Sequence, residues 1–165
     1  MKNTFYLLGA VVGVGLLGFA YYAISPLFIT VVADEALPGV TTEVTEPQPG
    51  IEPVAGNAPM VARRAMVVET AAHPAGGSAF IVEADGKHYL RYEDFKTING
   101  PDLYVYLAKD LDAKEFVNLA HIKATEGNVN YEIPAGVDPA EYRYALVWCK
   151  QFSVLFNYAD FASLL

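Results

Sequence analysis

The sequence predicts an all-β domain: a single sandwich or barrel of about eight short antiparallel strands, preceded by one transmembrane helix and a Pro/Gly-rich acidic linker. Three observations carry this reading. Residues 4–32 hold no charged side chain. Residues 34–60 scatter Pro38, Pro47, Pro49, Pro53 and Pro59 among glycines and acidic residues, with no basic residue between them. Near the other end, Tyr142, Tyr144, Leu146 and Trp148 recur every second residue, as do Phe152, Val154, Phe156 and Tyr158. A period of two belongs to strands, where successive side chains point to opposite faces.

Composition bounds the function. A chain of 165 residues has room for one ordinary domain plus appendages. The net charge of −8 leaves no basic footprint for nucleic acid. An acidic surface favours solubility and repels anionic partners. With one cysteine there is no intramolecular disulfide, so Cys149 is free, paired to another molecule, or bound to something.

Taken in order, residues 5–24 as a helix would span about 30 Å, the thickness of a bilayer's hydrocarbon core. Gly9 and Gly13 form a GxxxG pair, and Tyr21 and Tyr22 suit a membrane interface. A signal peptide has a shorter apolar core of about 7–15 residues, so a retained anchor over residues 4–32, one helix, is expected. Val31-Val32-Ala33 is the best cleavage site otherwise. Lys2 before the span and Asp34 and Glu35 after it place the N-terminus in the cytoplasm and the remainder outside. Pro26 should end or kink the helix. The expected organisation is an anchor at 1–33, a linker at 34–62 and an extracytoplasmic β-domain at 63–165. The linker's composition cannot form a core and reads as a disordered, extended tether; the alternative is an irregular lid packed on the domain.

Within the domain, residues 65–72 form a first strand and 73–77 a turn. Residues 78–84 and 87–92 flank Asp85-Gly86, a two-residue hairpin signal. That register pairs Ile81 with Leu90 and Glu83 with His88, and puts Ile81, Leu90, Ala79 and Tyr92 on the core face. Residues 93–99 are a connection with Phe95 as its buried anchor. Leu103, Val105 and Leu107 alternate with Tyr104 and Tyr106 in a fourth strand. Residues 116–122 give a fifth, Glu126-Gly127-Asn128 a turn, and 129–133 a sixth. Asp138-Pro139-Ala140-Glu141 opens one helical turn, and two final strands meet at Cys149-Lys150-Gln151.

Several phrases now fall in a familiar order: His73-Pro74-Ala75-Gly76-Gly77-Ser78-Ala79, Leu90-Arg91-Tyr92-Glu93-Asp94-Phe95, Asn99-Gly100-Pro101-Asp102 running into Leu103-Tyr104-Val105-Tyr106-Leu107, Gly127-Asn128-Val129-Asn130-Tyr131-Glu132-Ile133-Pro134, and Val147-Trp148-Cys149 with Phe152-Ser153-Val154 and Phe156. Together, over about residues 65–165, they resemble the DM-thirteen domain family, an electron-transfer-type extracellular domain named after a DOMON neighbour. The resemblance implies an extracytoplasmic all-β domain whose single characteristic cysteine, matched here by Cys149, is a proposed redox centre. Eukaryotic relatives set the domain beside DOMON and b-type cytochrome modules, neither of which stands in this sequence.

Cys149 is therefore the leading candidate. A redox cysteine needs thiolate character and access. Lys150 beside it would favour the thiolate, and Trp148 would shield one side or pack a partner. The alternative is a small buried hydrophobe, which free cysteine often is. His73, in the Gly-rich turn, is a further binding candidate. His88 is expected as a surface partner of Glu83 and His121 as a strand-edge residue. The histidines lack close metal-ligand spacing, so no metal and no cofactor are predicted, with a haem or copper site through Cys149 and a histidine left open. Asx capping accounts for Asp94 and Asp102. Hydrolytic motifs are missing from the sequence, so at most this is a redox-active thiol domain. Tyr89, Tyr92, Tyr104, Tyr106, Tyr131, Tyr142, Tyr144 and Tyr158 either line a sugar-binding face or are half-buried strand formers.

The first reading is thus a membrane-anchored extracytoplasmic domain, redox or electron-transfer-associated through Cys149, acting by reversible thiol chemistry or a mixed disulfide with a partner protein. The alternatives are a non-catalytic module binding sugar or protein through its tyrosines, and a structural cell-envelope protein. Burial of Cys149 discriminates between them.

Overall fold

The computed structural model describes residues 2–40 and 60–162. Helix α1 (Lys2–Ile24) runs into a 3₁₀ turn, Ser25–Phe28. The single helix expected to reach Val32 stops at Ile24, because Pro26 has no N–H to donate and its ring crowds the preceding turn. Nine strands follow: β1 (Val32–Asp34), β2 (Met60–Glu69), β3 (Ala75–Ala84), β4 (Lys87–Thr97), β5 (Leu103–Ala108), β6 (Phe116–His121), β7 (Glu126–Glu132), β8 (Tyr144–Cys149) and β9 (Val154–Asp160). A 3₁₀ turn at Pro139–Glu141, capped by the Asp138 side chain accepting from the Ala140 N–H, occupies the expected helical turn.

All nine strands belong to one sheet in the order β1-β7-β4-β3-β2-β9-β8-β5-β6. Strand β2 pairs with β3 over residues 60–66 and with β9 over 67–69. The sheet therefore bends along β2 and curls into a half-barrel. Inward residues of both halves form one core, including Ala79, Ile81, Leu90, Tyr92, Leu103, Val105, Leu107, Val129 and Val147. Each fully buried aliphatic or aromatic side chain contributes roughly 1.5–3 kcal/mol.

The hairpin register is the one expected: Ile81 faces Leu90, Glu83 faces His88 and Ala79 faces Tyr92. Asp85 and Gly86 both take the left-handed φ that a tight primed turn demands. Leu103, Val105 and Leu107 face the core, while Tyr104 and Tyr106 point to the outer face. Local expectations differ in places: residues 93–97, expected as part of a connection, continue β4, and β3 begins at Ala75 inside the expected 73–77 turn. Asp94 caps no turn; it sits in β4 where the register shifts between Tyr92 and Phe95, and its N–H donates to Asn128 Oδ1 at 3.0 Å. Residues 126–128 are not a turn but the start of β7, opposite β1.

Among the described residues, strand β1 raises the count to nine and makes the one parallel pairing, with Val32, Ala33 and Asp34 against Glu126, Gly127 and Asn128. The residues after it are strapped across the sheet. Glu35 accepts from the Asn130 N–H at 2.8 Å and from Lys123 Nζ at 3.0 Å. The buried Arg91 guanidinium donates through Nη1 to the Glu35 and Ala36 carbonyls and to Asn130 Oδ1. Leu37 packs on Phe80, Val82 and Ala84. Residues 34–40 thus behave as the packed segment that was the alternative to a tether; the rest of the expected linker, 41–59, lies outside the described residues.

Antiparallel alternation sorts the connections. Those at 70–74, 98–102, 122–125 and 150–153 gather at one end of the half-barrel. The chain arriving from α1 enters at that same end, because β1 runs parallel to β7.

Two measurements check this account. Gly127 sits at φ +107, and a Cβ there would collide with the Ala33 carbonyl oxygen. Gly127→Val should therefore displace β1 and cost about 1–3 kcal/mol from backbone strain alone, read as a lowered urea midpoint. Burial raises the Glu93 pKa, but hydrogen bonds and charge from Arg91 and Arg64 outweigh it and hold the carboxyl below its ordinary value. A depressed folded pKa gives stability that is present above the ordinary carboxylate pKa and lost as pH falls through the folded one. Glu93→Gln should flatten the loss of stability below about pH 4.3 relative to wild type, in thermal melts across that range.

Candidate functional site

Cys149 is the last residue of β8, opposite Leu103 of β5 and Val154 of β9. Its strand-end position and its shared face with Val147 and Ala145 match the alternation. Its exposure is nonetheless 0%, and it belongs to the hydrophobic core. The covering comes from the 98–102 connection. Gly100 is buried, and a Cβ there would press on Phe156 and Leu103, so the bare backbone lies flush against these two side chains. The Lys150 N–H donates to the Asp102 carbonyl at 2.9 Å and ties the β8–β9 turn to this connection.

Trp148 points the other way. It faces Tyr104 and Leu155 across the sheet and is half-buried on the outer face with Tyr104, Tyr106, Leu146 and Tyr158. Lys150 belongs to this side as well, its Nζ lying 5.3 Å from the Tyr104 ring centroid. The ammonium is therefore engaged with the outer aromatic face, whereas the thiol faces inward. Adjacency in sequence put the two together; strand geometry sends them to opposite sides of the sheet.

His73 sits in the turn between β2 and β3. Its ring stacks on Phe156 with centroids 3.9 Å apart, and its Nδ1 lies 2.8 Å from Thr70 Oγ1. Thr70 donates its only hydroxyl proton to the Phe156 carbonyl at 3.0 Å. The network thus assigns the neutral Nδ1–H tautomer, with Nδ1 donating to Thr70 and the Nε2 lone pair left open. Burial pushes the His73 pKa down. His73 and Cys149 consequently flank one apolar plug, formed by Phe156 and Leu103 against Gly100.

His121 is more than the edge residue expected from its position. Its ring meets Tyr104 edge-on at 5.0 Å, and Nε2 stands 4.0 Å from Asp102 Oδ1. It joins Trp148, Tyr104 and Lys150 in an outer-face patch at the same end as Cys149. Finding that patch from sequence requires the pairing of β5 with both of its neighbours, since Tyr104 faces His121 on one side and Trp148 on the other. His88 lies at the opposite end, lining a pocket of about 590 Å³ with Lys87, Glu132 and Asp138. Among the described residues no three His, Cys, Asp or Glu side chains converge as they would around a metal ion.

The arrangement separates two chemistries. A thiol at zero exposure cannot meet a partner disulfide until something moves, because exchange needs the two sulfurs in contact. The outer patch needs no movement to receive a partner. Compared with family models, the chain matches the one described as Electron transfer DM13 over residues 67–161, more than half its length. Comparisons with curated proteins and with solved structures gave no match.

Cys149→Ser tests the packing. An unpaired hydroxyl at this position costs about 1–3 kcal/mol, expected as a lower urea midpoint with an unchanged slope. For His73 the folded pKa is lowered from 6.5, so its contribution is present above 6.5 and lost as pH falls through the folded value. His73→Gln should remove that part of the acid sensitivity seen in thermal melts.

Proposed function

From a chain that belongs to the electron transfer DM13 family, we propose a membrane-tethered, redox-associated domain that works outside the cytoplasm with Cys149 as its reactive group. Gly9–Phe28 supplies the tether, being long and apolar enough to cross a membrane, with mean hydropathy 1.8 and none of it buried. Lys2 before it and Asp34 and Glu35 after it set the orientation.

The observation that carries the thiol reading is the turn that joins the sulfur's strand to the surface. Residues 150–153, the turn that follows Cys149, are all exposed, and Ser153 holds a left-handed φ of 52°. Opening this strained turn, with loss of the Lys150 N–H bond to the Asp102 carbonyl that ties it to the covering 98–102 connection, would free the end of β8 while the rest of the sheet stays paired. Such local openings cost less than global unfolding. Once uncovered, the Cys149 thiol loses its proton to solvent and its sulfur attacks a disulfide on a partner protein. The Cys149–partner bond forms as the partner's S–S bond breaks, and the second partner sulfur leaves as a thiolate. The oxidising equivalent is thus carried by the mixed disulfide until another thiol resolves it.

A second reading is favoured by the outer patch. Trp148, Tyr104, His121 and Lys150 together offer aromatic and cationic contacts to a partner protein without any chemistry.

Thiol labelling of the full chain in detergent micelles separates the two. The thiol reading expects Cys149 to be alkylated under native conditions at a rate nearly independent of low denaturant, as local opening gives. Alkylation that rises only in step with global unfolding would sink it and leave the docking reading, for which His121→Ala, at an exposed member of the patch, should weaken partner capture without lowering the melting temperature.

A further inference from the structure

We propose that the end of the half-barrel carrying Cys149 and His73 is seated in the lipid headgroup layer, with Phe152 inserted among the acyl chains beside Phe19 and Val154 nearer their boundary. This rests on reading α1 as a membrane span.

The first argument is one of reach. Only residues 29–31 separate the last turn of the apolar segment, Ser25–Phe28, from strand β1. Fully extended, three residues span about 10 Å. The headgroup layer on one side of a bilayer is about 5–7 Å thick. A helix ending at the hydrocarbon boundary therefore leaves at most about 3–5 Å, roughly one layer of water, between the headgroups and the start of β1.

These three residues are also fastened. The Ile29 carbonyl accepts from Asn99 Nδ2 at 3.0 Å, the Val31 N–H donates to Thr125 Oγ1, and the Val31 carbonyl accepts from the Thr125 N–H. Two of the four connections at this end, 98–102 and 122–125, are thereby tied to the helix exit. They cannot lift away from the membrane without breaking those bonds.

The second argument is the chemistry of what faces the bilayer. Phe152 is 42% exposed and Val154 37%, at the tip of the β8–β9 turn. Phe28 is 83% exposed at the helix exit. Phe152 also meets Phe19 of α1 edge-on, ring centroids 6.3 Å apart. Phe19 lies about one and a half turns before the end of α1 at Ile24, so the turn reaches down beside the span rather than standing above it. Apolar side chains beside a polar strand end are the usual composition of an interfacial insertion. Of the lysines at this end, Lys123 pairs with Glu35 and Lys150 lies over Tyr104, while Lys96 is exposed in a cleft it shares with Glu69 and Glu126. Apolar contact therefore supplies the seating, and it should not require anionic lipid.

The test uses the full chain reconstituted into phosphatidylcholine vesicles, with a phosphatidylcholine that carries a photoactivatable group near its glycerol. Flotation of the chain with the vesicles reports on the anchor. After photolysis, adducts are mapped by peptide. The seated end, at 98–102 and 150–154, should be labelled roughly fivefold or more over the turns at 85–86 and 135–136 at the opposite end. Phe152→Asp, in an exposed turn, should keep the chain floating and reduce adducts at 150–154 several-fold. Equal labelling of the two ends, or adducts at 150–154 unchanged by Phe152→Asp, overturns the seating and leaves the anchor standing. A chain that fails to float overturns both.

Discussion

Strand β2 belongs to two sheets' worth of pairing at once, and that constraint shapes everything else. Its first seven residues hydrogen-bond to β3 and its last three to β9. A strand can serve both neighbours only where the sheet coils away from flatness, which the right-handed twist of strands favours. The bend brings the inner faces of β3, β4 and β7 over those of β5, β8 and β9 and closes one core between them. It also means that the connections alternate strictly between two ends. The proximity of His73, Gly100, His121 and Cys149 is a result of that alternation, not of any local motif.

Much of this was legible in the sequence, for a physical reason. Where one face of a strand is buried, a slip of one residue would turn the whole apolar set outward, so the alternation itself fixes the register. That is why Ile81 opposite Leu90, and Leu103, Val105 and Leu107 on the inner face, could be read directly. Strand β1 could not. Val32 and Ala33 close an apolar run that ends at Asp34, three residues are too few to show a period, and they pair with a strand more than ninety positions away. Its partner's fitness depends on Gly127, whose missing side chain admits the Ala33 carbonyl. The role given to Lys150 failed for a related reason: neighbours along an extended chain diverge, and the ammonium found Tyr104 rather than the sulfur.

The pair Trp148-Cys149 shows how one dipeptide serves two faces. The indole completes an outer aromatic surface, while the thiol completes the core. The proposed thiol role of Cys149 requires that the cost of reaching its buried sulfur be smaller than the stability of the domain. Domains of this size are stable by about 5–15 kcal/mol, and a four-residue turn is a small part of that. Cys149, fully buried, is the last residue of β8 and so lies at the rim of the core. Val154, its cross-strand neighbour, is already partly in contact with the surroundings.

Under the proposed membrane tether, Arg91 and the strand it secures change what attachment means. The covalent connection between α1 and the bulk of the domain runs through residues 41–59, but the physical connection does not. Val31 to Leu37 is held by a parallel ladder, by the Arg91 guanidinium, by Glu35 and by Leu37 on Phe80. A protease cutting between residues 40 and 60 would break the chain without freeing the domain. Shedding would then be a two-step event, scission followed by peeling of a strand, and the second step, governed by hydrogen bonds and a buried cation, would set the pace.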